Sequence, residues 1–360
     1  MYVHIPFCKK RCLYCDFFST TLLERREAYV AALLKEIQVR RDEAGEPIRT
    51  IYLGGGTPST LAANDIRRIL EAIGTDDAQE ITMEMNPGDT DKAYLQAIRE
   101  AGINRLSIGI QSFDDKLLGL IGRRHTAQQA ITAVKAAQGA GFDNLSIDLM
   151  YALPTQTMTA WLADIDQALT LRVQHISAYG LMYEEGTMLT KQRDNGAFEP
   201  IGEDTENAMY DLLCDRLQQA GFVHYEVSNF ALPGFEAKHN SAYWDGTPYV
   251  GVGAGAHSYI PPVRSWNVED LDAYIKGVTG YGLQVTGGSE TLTEQDLYNE
   301  RIMLGLRTNR GIVGPLSGHC RSIIDRSIQN GLLRETGDGR IVATQKGIHI
   351  LNRIIEDLMI

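Results

Sequence analysis

Three cysteines fall within eight residues near the start of the chain, at Cys8, Cys12 and Cys15. Thiolates are soft ligands, and a C-x3-C-x2-C triplet suits zinc or an iron–sulfur cluster. A structural zinc site asks for four ligands, commonly as two paired knuckles. No second knuckle follows, and His4 is the nearby residue that could complete a Cys3His set. A [4Fe–4S] cube takes one ligand per iron. Three thiolates on one loop would therefore hold three irons and leave the fourth open to a molecule that is not protein. Lys9, Lys10 and Arg11 add positive charge that favours the thiolates. Cys214 and Cys320 stand alone and read as small buried hydrophobes. An odd count of five is a poor disulfide framework.

A second set of chemically able residues follows short β-branched runs. It comprises Gly54-Gly55-Gly56-Thr57, Glu84 with Asn86, Gln111 and Asp148. The runs are Tyr2–Ile5, Thr50–Leu53, Ile81–Met85, Arg105–Ile110, Leu145–Met150 and His175–Leu181. Between them lie apolar-periodic stretches at Tyr29–Val39, Ile66–Ile73, Tyr94–Arg99, Ala127–Gln138 and Met158–Leu171. Strands alternating with helices predict βαβ units and a parallel sheet. AGINRLSIGI, AGFDNLSIDL and AGFVHYEVSN repeat one helix-to-strand junction, with Gly as the left-handed cap. The class is α/β, either a (β/α) barrel, whole or partial, or a doubly wound sheet. In both, active groups gather at the carboxyl ends of strands. GGGTP alone reads as a tight βα turn. Four polar positions at corresponding strand ends read as one site.

From about residue 290 the pattern changes. Glu294–Leu306 and Arg321–Asn330 read as helices, a hairpin turns at Gly337-Asp338-Gly339, and Thr344–Met359 reads as one amphipathic helix. Helix, helix, hairpin, helix resembles a winged helix. Nine Arg/Lys against eight Asp/Glu give this stretch almost no charge with which to grip DNA, so it reads as a structural cap. The whole chain of 360 residues carries 34 basic and 46 acidic residues, net −12, which argues against a nucleic-acid partner. No apolar run approaches the roughly 18–20 residues that span a bilayer, and the opening MYVHIPFCKK carries charge where an h-region would stand, so no signal peptide is expected. The expected location is the cytoplasm, with transient contact at a membrane surface left open. The sequence does not set the oligomeric state.

Two further segments invite a ligand. Gly251-Val252-Gly253-Ala254-Gly255-Ala256 fits G-x-G-x-x-A, but HSYIPP follows instead of a helix, so a dinucleotide site is rejected. His239-Asn240-Ser241-Ala242-Tyr243-Trp244 places an imidazole beside two aromatic side chains with polar tips. Taken alone, that grouping reads as packing.

The strings YVHIPFC, CLYCDF, IYLGGGTPS, GIQSF, SIDLMYALP and HISAYGL resemble the radical S-adenosylmethionine (radical SAM) superfamily over nearly the whole chain. Within it they are similar to the coproporphyrinogen-dehydrogenase-like (HemN-like) family. The resemblance implies a partial (β/α)6 TIM-like barrel of the radical SAM type with a C-terminal winged-helix-like cap. It divides the chain into a core at 1–230, a heme-motif and connecting region at 231–290, and a cap at 291–360. It implies that Cys8, Cys12 and Cys15 ligate a [4Fe–4S] cluster. It implies that Tyr2, Tyr14, Gly55, Gly56, Thr57, Glu84, Gln111, Arg123 and Asp148 contact S-adenosylmethionine. Two functions compete within the family. One is oxygen-independent coproporphyrinogen III dehydrogenase, which carries a further cysteine two residues after the third and an N-terminal extension. Here Asp16 and Phe17 follow Cys15, and the chain starts one residue before Tyr2. The other is a heme chaperone that passes heme to acceptor proteins, and HNSAYW matches the HNxxYW motif of that branch. That match implies heme contacts at His239, Tyr243 and Trp244, with His239 as axial ligand. The chaperone is the expected function.

Overall fold

The computed structural model describes residues 1–89, 91–280, 283–314 and 318–360. Six strands with the helices between them come first. They are β1 Tyr2–Ile5, α1 Arg26–Arg40, β2 Thr50–Gly55, α2 Ala63–Ile73, β3 Glu80–Met85, α3 Lys92–Glu100 and β4 Arg105–Gln111. Then follow α4 Asp115–Leu120, α5 Ala127–Gly139, β5 Leu145–Tyr151, α6 Met158–Thr170 and β6 His175–Gly180. The six strands pair in chain order and all in parallel. A doubly wound sheet reverses its order at a switch point; this one does not, and the barrel alternative stands. Among the described residues the sheet stays open, ending at β9 Gly251–Val252 beside β1 and at a β7–β8 hairpin beside β6.

The strands show why a site forms inside. Val3 and Ile5, Ile51 and Leu53, and Ile147 and Leu149 are fully buried in the main core. The residues alternating with them, among them Tyr2, His4, Tyr52, Glu84, Ser146 and Asp148, take the opposite face. A curled sheet turns that second face into a polar lumen.

After β6 come α7 Met188–Asp194, α8 Glu203–Gln219, β7 Val223–Glu226, β8 Asn229–Ala231 and α9 Lys238–Trp244. Gly102, Gly141 and Gly221, the glycines of the three repeats, all adopt positive φ as helix caps. The third copy departs from the expected pattern. It leads into β7, which pairs antiparallel with β8 rather than adding a parallel strand. Past β9, a turn replaces the rejected dinucleotide helix. A three-stranded antiparallel sheet follows, from β10 His257–Ile260, β11 Val263–Asn267 and β12 Thr286–Thr291, with α10 Leu271–Thr279 inserted.

The last segment holds α11 Glu294–Leu306, α12 Gly318–Gln329, a β13–β14 hairpin (Leu333–Glu335 and Ile341–Ala343), α13 Gln345–Ile348 and α14 Leu351–Leu358. It packs its own apolar cluster, including Ile302, Leu306, Ile324, Leu333, Ile354 and Leu358. The single helix expected over 344–359 is two helices. The break falls at His349 and Ile350, where the His349 ring turns to Asp211 of α8, Nε2 to Oδ1 3.0 Å.

Candidate functional site

The cysteine loop leaves the carboxyl end of β1 and is closed by Cys8 N–H donating to Thr20 O at 2.8 Å. Its thiols are wired to the neighbouring strand ends. Cys8 Sγ lies 3.6 Å from Thr57 Oγ1. Thr57 Oγ1 accepts from Asn86 Nδ2 at 2.8 Å, and Asn86 Oδ1 accepts from Arg123 Nη2 at 2.6 Å. Arg123 Nη1 then donates to Cys12 Sγ at 3.4 Å. Thr57, Asn86 and Arg123 thus join two of the three cysteines. Asn86 was visible in the sequence as a strand-end residue, but nothing there gave it this bridging role.

Burial pushes the Cys15 thiol up to about 11 and the Cys8 thiol in the same direction. A positive centre offsets that cost, since a coordinating thiol loses its proton outright. His4 is not available as a fourth zinc ligand. Its Nδ1 lies 2.9 Å from Tyr2 Oη and its Nε2 lies 2.9 Å from Phe18 O. Burial lowers its pKa to about 4, so the ring is neutral. Three soft donors remain, beside an Arg123 whose Nε is buried with no hydrogen-bond partner among the described residues. That donor set fits a cluster with one open iron, and the orphaned guanidinium nitrogen fits an acceptor group bound there.

The glycine loop packs closely against the cysteine loop. Gly55 has φ +109°, and a Cβ on it would stand 2.5 Å from the His4 ring. A Cβ on Gly56 would stand 2.8 Å from the Pro6 carbonyl carbon. The first obstacle in both cases is protein. These glycines let the second βα loop lie against the cysteine loop. Gly55 N–H donates to Glu84 Oε2 at 3.1 Å, and Tyr52 Oη donates to Oε1 at 2.7 Å. Burial raises the Glu84 carboxyl to about 7. Asp148 accepts from Ser107 Oγ at 3.0 Å, and burial raises its pKa also. Gln111 sits at a register shift between β4 and β5 with φ +73°, a conformation non-glycine residues hold under strain. Burial raises the Tyr14 phenol beside Arg123 and Cys12. Tyr2 stacks on Tyr52 at 6.2 Å between ring centroids.

The HNSAYW segment forms α9 and lies elsewhere. Glu80, at the amino end of β3, accepts the N–H groups of Lys238 (2.8 Å) and His239 (3.0 Å), capping the helix. His239 Nδ1 pairs with Thr50 Oγ1 at 2.8 Å and Nε2 with Tyr243 Oη at 3.0 Å. Its ring stacks on Tyr52 at 5.2 Å and 22°. Thr50 and Glu80 begin their strands, so α9 underlies the barrel floor, whereas the cysteines sit at the mouth. The six residues of β2 separate the two by about 17 Å. Both ring nitrogens of His239 are taken, and an iron would have to displace one partner. Tyr243 shares the floor with His239; Trp244, one residue on, faces a separate cleft. Sequence reasoning missed Tyr52, which touches Glu84 with its hydroxyl and His239 with its ring.

A parallel β1–β6 half-closed around a polar lumen, with three cysteines at its mouth, defines a radical SAM scaffold, and the Radical SAM superfamily profile matches residues 2–168. The solved structure of coproporphyrinogen III oxidase (HemN) from Escherichia coli, a radical SAM enzyme, superposes with a TM-score of 0.84. It covers 99% of this chain and 89% of that one at 23% identity, a likeness of fold. The protein named heme chaperone HemW from Lactococcus lactis is 36% identical over all of this chain and 97% of its own length. HemW of Bacillus subtilis is 36% identical over 86% of this chain and 84% of its own. HemW of Mycobacterium tuberculosis is 34% identical over 100% and 94%. The chain belongs to the HemW family.

Proposed function

We propose that the protein is a heme chaperone, which binds heme and hands it to acceptor proteins while carrying a [4Fe–4S] cluster and S-adenosylmethionine. The observation that carries this reading is end-to-end likeness to proteins named as heme chaperones, with HNSAYW standing as one helix under the barrel. Cys8, Cys12 and Cys15 would hold the cluster. Tyr2, Tyr14, Thr57, Glu84, Gln111, Arg123 and Asp148 would line the cofactor pocket, with Gly55 and Gly56 shaping its wall. A cluster of this type supplies one-electron cleavage of the sulfonium of S-adenosylmethionine. Arg123 would fix the Cys12 side of the loop and offer Nε to an anionic group. The dehydrogenase alternative has likeness of fold in its favour but lacks the further cysteine, since Phe17 stands two residues after Cys15. The location we propose is the cytoplasm; among the described residues no helix is long and apolar enough to cross a membrane.

The test is anaerobic reconstitution followed by parallel assays. About four irons and four sulfides per chain are expected. Cys8→Ala, Cys12→Ala and Cys15→Ala each abolish them, and Cys214→Ala does not. The wild-type protein binds heme and, with reductant and S-adenosylmethionine, leaves coproporphyrinogen III unchanged. Conversion to protoporphyrinogen IX would restore the dehydrogenase, and one zinc without sulfide would remove the cluster.

A further inference from the structure

Helix α9 has two faces, and they meet different cavities. His239 and Tyr243 border a floor pocket of about 230 Å³. That is below the roughly 300–1,000 Å³ of pockets that enclose a drug-sized ligand, and heme is larger than most of those. The opposite face, with Ser241 and Trp244, borders a cleft of about 720 Å³ between α9 and α11. Leu297, Leu304 and Ile312 supply its apolar wall from the C-terminal segment. Trp244 Nε1 is buried with no hydrogen-bond partner among the described residues.

The charges of the cleft depart from those of the molecule. In a chain of net −12, Lys238, Arg301, Arg310 and Arg340 border it against Glu236, Asp245 and Glu300. Glu300 is already engaged by Arg264 of β11, Asp245 by Arg310 at 3.1 Å, and Arg340 is paired with Asp338 at 3.0 Å on the exposed surface. Arg310 and Asp245 are each about half exposed (58% and 43% of the side chain), so this ion pair opens easily to a competing carboxylate. An apolar wall, an indole and a rim bearing arginines suit an aromatic ligand with carboxylates.

We propose that heme, on the chaperone reading above, seats its macrocycle in the α9–α11 cleft against Trp244, with its propionates toward Arg310 and Arg340. His239 is then a positioning residue. Its bonds to Thr50 and Tyr243, with the Glu80 cap on the helix start, hold α9 so that Trp244 meets the cap segment. On this account the macrocycle contacts supply the affinity, and iron ligation by His239 does not.

The experiment titrates the reconstituted full-length protein with ferric heme and, separately, with iron-free protoporphyrin IX, following Trp fluorescence and the Soret band. Wild type is expected to bind both, with affinities within about tenfold of each other. Leu304→Trp, which fills the cleft, weakens both by at least about tenfold. Arg310→Ala, at a half-exposed position that leaves folding intact, weakens both about threefold or more. His239→Gln leaves the Soret maximum of bound heme in place. Loss of protoporphyrin binding in wild type, or Leu304→Trp and Arg310→Ala without effect, would overturn the placement, as would a Soret shift in His239→Gln. The chaperone reading would survive those results, with heme on the floor side. A wild-type protein that binds neither ligand overturns the chaperone reading itself.

Discussion

At the scale of single residues, the site is a set of buried polar groups whose protonation is set by desolvation. Glu84 is the clearest case. Its carboxyl titrates near 7 in the folded chain against 4.5 for an ordinary glutamate, and burial is the main cause. Between those values the folded state holds a proton that the unfolded state has lost, so stability falls as pH rises through the window. The penalty is complete above about pH 7 and absent below about pH 4. Glu84→Gln keeps an acceptor for Gly55 N–H and removes the charge. Relative to wild type, the variant should gain up to about 3 kcal/mol at pH 8 and nothing from this source at pH 4. Urea denaturation of the cluster-free protein at several pH values measures it. A wild-type-to-variant difference that stays constant with pH would contradict the assignment. The same desolvation keeps His4 neutral and both its nitrogens engaged, which is why the cysteine triplet and not a Cys3His set is left for a metal.

At the scale of elements, α1 shows what local pattern cannot reveal. Glu36 is fully buried, and its Oε1 accepts from Arg40 Nη1 (2.9 Å) and Asn267 Nδ2 (2.7 Å). Oε2 accepts from Tyr274 Oη (2.6 Å) and Gly253 N–H (2.8 Å). The turn after β9, the end of β11 and helix α10 all hang on this one carboxylate. Glu36→Ala would strand Arg40 in the interior and should cost about 3–5 kcal/mol, whereas Glu36→Met with Arg40→Met should recover much of it. Chemical denaturation checks both, and a single-variant cost under about 1 kcal/mol would remove the network from the account. The i, i+4 spacing of Glu36 and Arg40 was plain in the sequence, but their burial depends on partners more than 200 residues away. The barrel strands were legible because short β-branched runs recur at intervals between helical stretches, and the outer helices because their apolar stripe has its own period. The cysteine loop and GGGTP were legible as motifs. The orientation of α9 was not, because Thr50, Tyr52 and Glu80 decide which face His239 takes. The break at His349 was hidden for the same reason, since Asp211 lies in another element.

At the scale of the whole molecule, the two ends of the barrel are separated yet joined by one aromatic ring. Tyr52 reaches Glu84 with its hydroxyl while its ring covers His239, so a change in the mouth pocket has a packed route to α9. Charge is distributed at the same scale. Net −12 repels a dianionic porphyrin at long range, and the small cationic excess of the cleft acts only within a Debye length of about 10 Å at 0.1 M salt. Association should therefore quicken a few-fold as salt rises from about 10 to about 150 mM, because screening relieves the far repulsion more than it weakens the near contacts. Arg310→Ala should act chiefly on dissociation, as most contact losses do within one interface. The Arg310–Asp245 pair is half exposed and worth no more than about 1 kcal/mol, so the variant keeps its stability. Stopped-flow mixing with monomeric ferrous carbonmonoxy heme at several salt concentrations separates the two rates. An association rate that falls steeply with salt would mean that the ligand is steered by a basic surface elsewhere, and the α9–α11 cleft would lose its electrostatic support.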